Sequence, residues 1–166
     1  DETLRLRLQG LRLPEVDFGA VIAQFRRALA FPSIRAVLSR SAYRKATAAA
    51  DAPLAPILAA FPGDLDPRVW NERSFVVRQG KAILRGTIDR LVVLFDRETP
   101  VAAEILDFKS DVIDANDAAA RQAKLALYRP QLEAYRSAVS RRYGLAADRV
   151  SSRLVFVQSG LVVALE

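Results

Sequence analysis

Two runs of strand-forming residues, Ile83 to Phe95 (ILRGTIDRLVVLF) and Val101 to Lys109 (VAAEILDFK), constrain this chain more than any other feature. Both are rich in β-branched and other apolar residues. The residues between them, Asp96-Arg97-Glu98-Thr99-Pro100, read as a polar turn, so the two runs should form an antiparallel hairpin. Charges interrupt both runs where a buried strand would be apolar: Asp89 ends Gly86-Thr-Ile-Asp89, and Asp107-Phe-Lys109 ends the second run. Strand alternation puts Asp107 and Lys109 on one face, and Asp89 on a face with Thr87 and Leu91. With these strand ends adjacent, both carboxylates reach a common edge.

Oxygen ligands from one or two carboxylates, with the remaining positions left to water and phosphate, describe a magnesium site. A metal held there would neutralise phosphate charge and acidify a water, and Lys109 could serve that water or offset transition-state charge. An isolated Asp-x-Lys recurs by chance in many chains. The ordered conjunction carries more: strand, Gly-x-x-Asp, turn, strand, Asp-x-Lys, then Gln131-x-x-x-Tyr135. Gln131 and Tyr135 are four apart and share a helix face, where an amide and a phenol could bond a phosphate or the lysine. The alternative for Tyr135 is a core ring with its hydroxyl satisfied. Arg121, Lys124 and Arg129 precede it and read either as DNA-backbone contacts or as a solvated face. Glu104 falls on the strand face opposite Asp107, which argues against a ligand role. Glu72 is a candidate supporting acid, Trp70 a core anchor, and Gly86 a point of close backbone approach.

On these residues the chain resembles the RecB-like nuclease domains of the PD-(D/E)XK superfamily, in particular the C-terminal nuclease domain of AddA-type helicase–nucleases. The resemblance is carried by Gly86-Thr-Ile-Asp89, Ile105-Leu-Asp-Phe-Lys-Ser110 and Tyr128-Arg-Pro-Gln-Leu-Glu-Ala-Tyr135, and covers about the last hundred residues. It implies Asp89 and Asp107 as metal ligands with the Phe108 carbonyl as a third, and Lys109 as catalytic. It also implies that Gln131 and Tyr135 position DNA, and it matches Glu72 to an acid on the preceding strand. The implied cofactor is Mg2+ or Mn2+. The implied activity is DNA exonuclease action in recombinational repair, beside a UvrD-like helicase domain of the same polypeptide and possibly with a second subunit. The chain departs from the pattern in having no histidine, where many such nucleases ligate the metal with one from an early helix. A start at Asp1 and the absence of Met favour a piece of a longer polypeptide. A non-catalytic module of the same fold, binding DNA or a partner, is the alternative.

The expected fold is α/β: a central mixed β-sheet flanked by helices, restriction-endonuclease-like, with an N-terminal helical segment. Residues 1–166 are expected to form one domain, with 1–69 a mainly helical lead-in and 70–166 the nuclease core. Leu4 to Leu13 alternates like a strand; Asp17 should cap a helix to about Ala30 whose stripe is Val21, Ile22, Phe25 and Leu29. Short helices are expected over Ser33–Leu38 and Ile57–Phe61, with a break at Pro62-Gly63-Asp64. A first strand is expected over Ser74–Arg78 and a closing hairpin over Val150–Gln158 and Leu161–Leu165. Pro130 divides the intervening helical stretch into two, ending near Leu127 and restarting to Arg142, with Gly144 after it.

The net charge of +6 favours an anionic partner. Much of it is early, since residues 1–50 hold nine Lys/Arg against four Asp/Glu, or +5. Zero cysteines exclude disulfides, thiol catalysis and an iron–sulfur cluster in this chain. No apolar run approaches the ~20 residues of a membrane span, no secretory pattern opens the chain, and a cytoplasmic location is expected.

Overall fold

The computed structural model describes residues 17–49, 51–80, 82–114 and 116–165; the strand read over Leu4–Leu13 lies outside them. Five strands form one mixed sheet in the order β1-β2-β3-β4-β5: β1 Asp66–Gln79, β2 Ala82–Asp96, β3 Thr99–Lys109, β4 Val150–Phe156 and β5 Leu161–Ala164. All neighbours are antiparallel except β3 and β4, which run parallel. A parallel pair needs a crossover, and a single long helix (Ala118–Tyr143) supplies it. Among the described residues, three shorter helices precede the sheet: α1 Phe18–Ala30, α2 Pro32–Leu38 and α3 Ala55–Ala60. The long helix is therefore α4.

The sheet is buried on both faces, which is why β2 and β3 read as nearly continuous apolar runs. On one face Leu91, Val93, Ile105 and Leu154 pack beneath α4 through Leu132, Tyr135 and Val139. On the other, Val92, Leu94 and Ala102 meet Leu54, Ile57 and Leu58, while Leu106 and Val155 meet Ile34 and Val37. The fold is the α/β architecture of restriction-endonuclease-like proteins.

Several sequence expectations are corrected here. The first strand begins at Asp66 rather than Ser74, and pairs with β2 from Asp66↔Phe95 to Gln79↔Ala82. It is an edge strand whose exposure alternates on either side of a slip at Glu72, and its apolar residues do not follow that alternation, since Val69 and Val76 are exposed. In α1 the buried side is Ile22 and Ala28; Val21 and Phe25 are exposed, because only one side of this helix meets α2 and the sheet. The helix expected to split at Pro130 is continuous. Proline removes one N–H from the ladder at a cost near ~3 kcal/mol. Burial of Leu132, Tyr135 and Val139 beyond it outweighs that loss. Asp117 caps the helix, accepting from the Ala120 N–H at 2.8 Å, and Gly144 ends it in the left-handed region at φ 66°.

Glu104 is buried to 1 % exposure on the α1–α3 side of β3. It accepts from Tyr43 Oη at 2.7 Å, from Ser151 Oγ at 3.3 Å and from Arg153 Nη2 at 2.5 Å. Burial, followed by the Glu104 charge, pushes the Tyr43 phenol far above its ordinary value, so it stays a neutral donor. Removing the carboxylate would strand the largely buried Arg153 guanidinium. Glu104→Ala is expected to destabilise the chain by about 3–5 kcal/mol in urea unfolding.

Candidate active site

From Leu94↔Ala102 to Arg90↔Leu106, β2 and β3 pair in one unbroken register. One step further the same register would set Asp89 across from Asp107, but the ladder stops. There the Asp89 carboxylate takes the place of a main-chain partner: Oδ2 accepts the Phe108 N–H at 2.8 Å. β3 stays straight through this point because β4 pairs with it on the other side, Asp107↔Leu154 to Lys109↔Phe156. Alternation then holds: Leu106 and Phe108 pack toward α2, while Asp107 and Lys109 face α4. The opposite neighbour is irregular at the same level. Glu72, in register with Asp89, drops out of the β1–β2 ladder with φ 52°. Ile88 and Leu91 both join the α4-side core, which strict alternation forbids, so the strand turns over across Asp89–Arg90.

Asp107 is 1 % exposed. Lys109 Nζ lies 2.5 Å from its Oδ2, an ion pair in which that buried oxygen still lacks a well-aligned hydrogen bond. Burial raises the Asp107 carboxyl above the ordinary range; Lys109 opposes this and nearby Asp89 adds to it. Lys109 Nζ also donates to Gln131 Oε1 at 3.1 Å. Gln131 Nε2 donates to Tyr135 Oη at 2.7 Å, and Tyr135 Oη donates to the Thr87 carbonyl at 2.9 Å. The chain of contacts thus runs from β3 through α4 to β2, returning two residues from Asp89. Tyr135 is both a core ring and a polar link, and burial raises its phenol.

Gly86 has a steric reason to be glycine. A Cβ there would lie 2.9 Å from Phe75 Cε1 and 3.5 Å from Tyr135 Cε1. Phe75 meets Tyr135 edge-on at 5.3 Å, so the close approach keeps the Tyr135 ring in place.

The residues fit a hard divalent cation in limited form. Two carboxylates of facing strands and the adjacent Phe108 carbonyl supply oxygen, and one buried carboxylate oxygen is under-satisfied. Among the described residues no group of three or more Asp, Glu, His or Cys gathers, so water and phosphate oxygens would complete the shell. The other expected residues lie around this centre. Glu72 is exposed on the edge strand. Arg121 and Lys124 lie in the N-terminal part of α4, Lys124 paired with Asp111, and Arg129 lies 3.9 Å from Glu133. Asp111 also accepts from Tyr128 Oη at 2.7 Å. The Lys124 ammonium, ahead of the Tyr128 bond, holds its carboxyl below the usual range. Its spacing of two from Lys109 was the available signal for a shared side.

A sequence profile of the PD-(D/E)XK nuclease superfamily matches residues 6–164. The chain belongs to that superfamily. Its members are generally nucleases that use divalent metals. No curated protein matches the chain. Gly86→Ala is expected to cost about 1–3 kcal/mol through displacement of Phe75 and Tyr135, read as a lowered midpoint in thermal unfolding.

Proposed function

We propose that this chain is the metal-dependent deoxyribonuclease domain of a helicase–nuclease, acting as an exonuclease in recombinational DNA repair. The observation that carries the reading is the convergence of Asp107, Lys109 and Gln131 in one bonded cluster beside Asp89, at the level where β2 and β3 part. Asp89, Asp107 and the Phe108 carbonyl would hold Mg2+ or Mn2+. The cation supplies Lewis acidity and neutralises phosphate charge. Lys109 sits against the ligand Asp107, where its ammonium can orient the attacking water and offset charge building on the phosphoryl oxygens. Gln131 restrains Lys109, and Tyr135 restrains Gln131.

Arg121, Lys124 and Arg129 precede Gln131 on α4, and are proposed to meet the backbone of the strand being cut. Phosphate contacts of this kind bind without reading sequence, which suits progressive degradation. The helicase partner domain and a second subunit rest on the resemblance to AddA-type enzymes. Among the described residues no helix is long and apolar enough to cross a membrane.

The test is cleavage of single- and double-stranded oligonucleotides by the chain with Mg2+ or Mn2+. Cutting should cease with chelator. Asp107→Asn and Lys109→Ala should each lower the rate by about 10²–10³-fold, with folded circular dichroism spectra. Binding without cutting would instead favour a non-catalytic DNA-binding module. Cleavage that survives Asp107→Asn would overturn the assignment.

A further inference from the structure

Lys109 is held on a third side by a group to which the proposed chemistry gives no part. Its Nζ lies 4.2 Å from the centroid of the Tyr128 ring. The other two sides are Asp107 Oδ2 at 2.5 Å and Gln131 Oε1 at 3.1 Å. The Tyr128 ring is itself tethered, since its hydroxyl donates to Asp111 Oδ2 at 2.7 Å. Lys124, one turn earlier on α4, pairs with the other Asp111 oxygen. Tyr128 therefore touches Lys109 with its face and Asp111, two residues on, with its hydroxyl.

The choice of an aromatic ring has a physical consequence. A lysine ammonium has three N–H donors on a flexible four-carbon stem. Asp107 and Gln131 engage two directions, and a third polar neighbour would consume the remaining donor. A π face attracts the cation without being a strong hydrogen-bond acceptor. It fixes where the ammonium sits while leaving a donor for a water or a phosphoryl oxygen.

We propose that Tyr128 is a positioning residue for Lys109, with Asp111 and Lys124 serving to hold the ring in register. The inference rests on the nuclease reading of Lys109. It predicts an effect on the chemical step rather than on DNA affinity, because Tyr128 reaches the reaction only through the lysine.

The experiment compares wild type, Tyr128→Leu, Tyr128→Phe and Tyr128→Trp in steady-state cleavage of a DNA oligonucleotide with Mn2+. Tyr128→Leu should lower kcat by about tenfold at unchanged KM, and Tyr128→Trp, which keeps a π face, should recover most of the loss. Tyr128→Phe, which keeps the ring but frees it from Asp111, should fall between. A second readout needs no activity: the Lys109 Hε protons should resonate upfield in wild type from the ring current, lose that shift in Tyr128→Leu and keep it in Tyr128→Trp. Wild type that cuts while Tyr128→Leu cuts equally fast, or loses only KM, overturns the role of Tyr128 alone. An Hε shift indifferent to Tyr128→Leu does the same. Wild type that leaves DNA intact overturns the nuclease reading and the positioning role of Tyr128 with it, whatever the Hε shift shows.

Discussion

β3 carries two buried carboxylates on its opposite faces, and the difference in how each is compensated organises the molecule. Glu104 meets a phenol, a hydroxyl and a guanidinium, which satisfy both its oxygens. A charge so enclosed has nothing further to bind, and it ties the α1–α3 layer to the sheet through Tyr43. Asp107, three residues later, has one cation beside it and an oxygen without an aligned donor. Burial discourages its ionisation more than Lys109 encourages it. An under-compensated carboxylate at a sheet position is costly to keep, and costs of this kind collect where chemistry is done.

The geometry that exposes Asp107 to chemistry depends on unequal neighbours. On its β4 side the ladder continues to the end of β3, while on its β2 side it stops at Arg90↔Leu106. β3 is thus rigid along one edge and open along the other. Asp89 caps the open edge by accepting a main-chain N–H that would otherwise lose its partner. One side chain thereby closes the sheet and lines the site. α4 then crosses over the opening and contributes Gln131 and Tyr135 from a single face.

Much of this was legible in the residues, and the exceptions have physical causes. The β2–β3 hairpin was readable because the paired stretches 91–95 and 102–106 are buried on two faces and are apolar but for Glu104. The start of β1 was not, because its phase slips at Glu72 and its side chains run against the alternation, with Val69 and Val76 exposed while Arg68 and Arg73 are half-buried. Pro130 was misread as a divide because local propensity knows nothing of the sheet beneath α4, on which Leu132 and Val139 are buried. The one-face pairing of Gln131 and Tyr135 followed from helical spacing alone. That Asp89 would spend an oxygen on Phe108, and that Tyr128 would lie over Lys109, depend on tertiary placement that no local pattern encodes.

Gly160, in the turn between β4 and β5, has a consequence for how the molecule comes together. It adopts φ 71°, and a Cβ there would overlap the Phe31 ring. Its carbonyl accepts from Ser33 Oγ, a partner 127 residues distant in sequence. The junction of α1 and α2 is thereby clasped by the final hairpin. Such a closure draws remote segments into one contact and tends to slow assembly. In synthesis on the ribosome, the early helices would emerge well before their docking surface exists, and would complete their seat only when the last strands arrive.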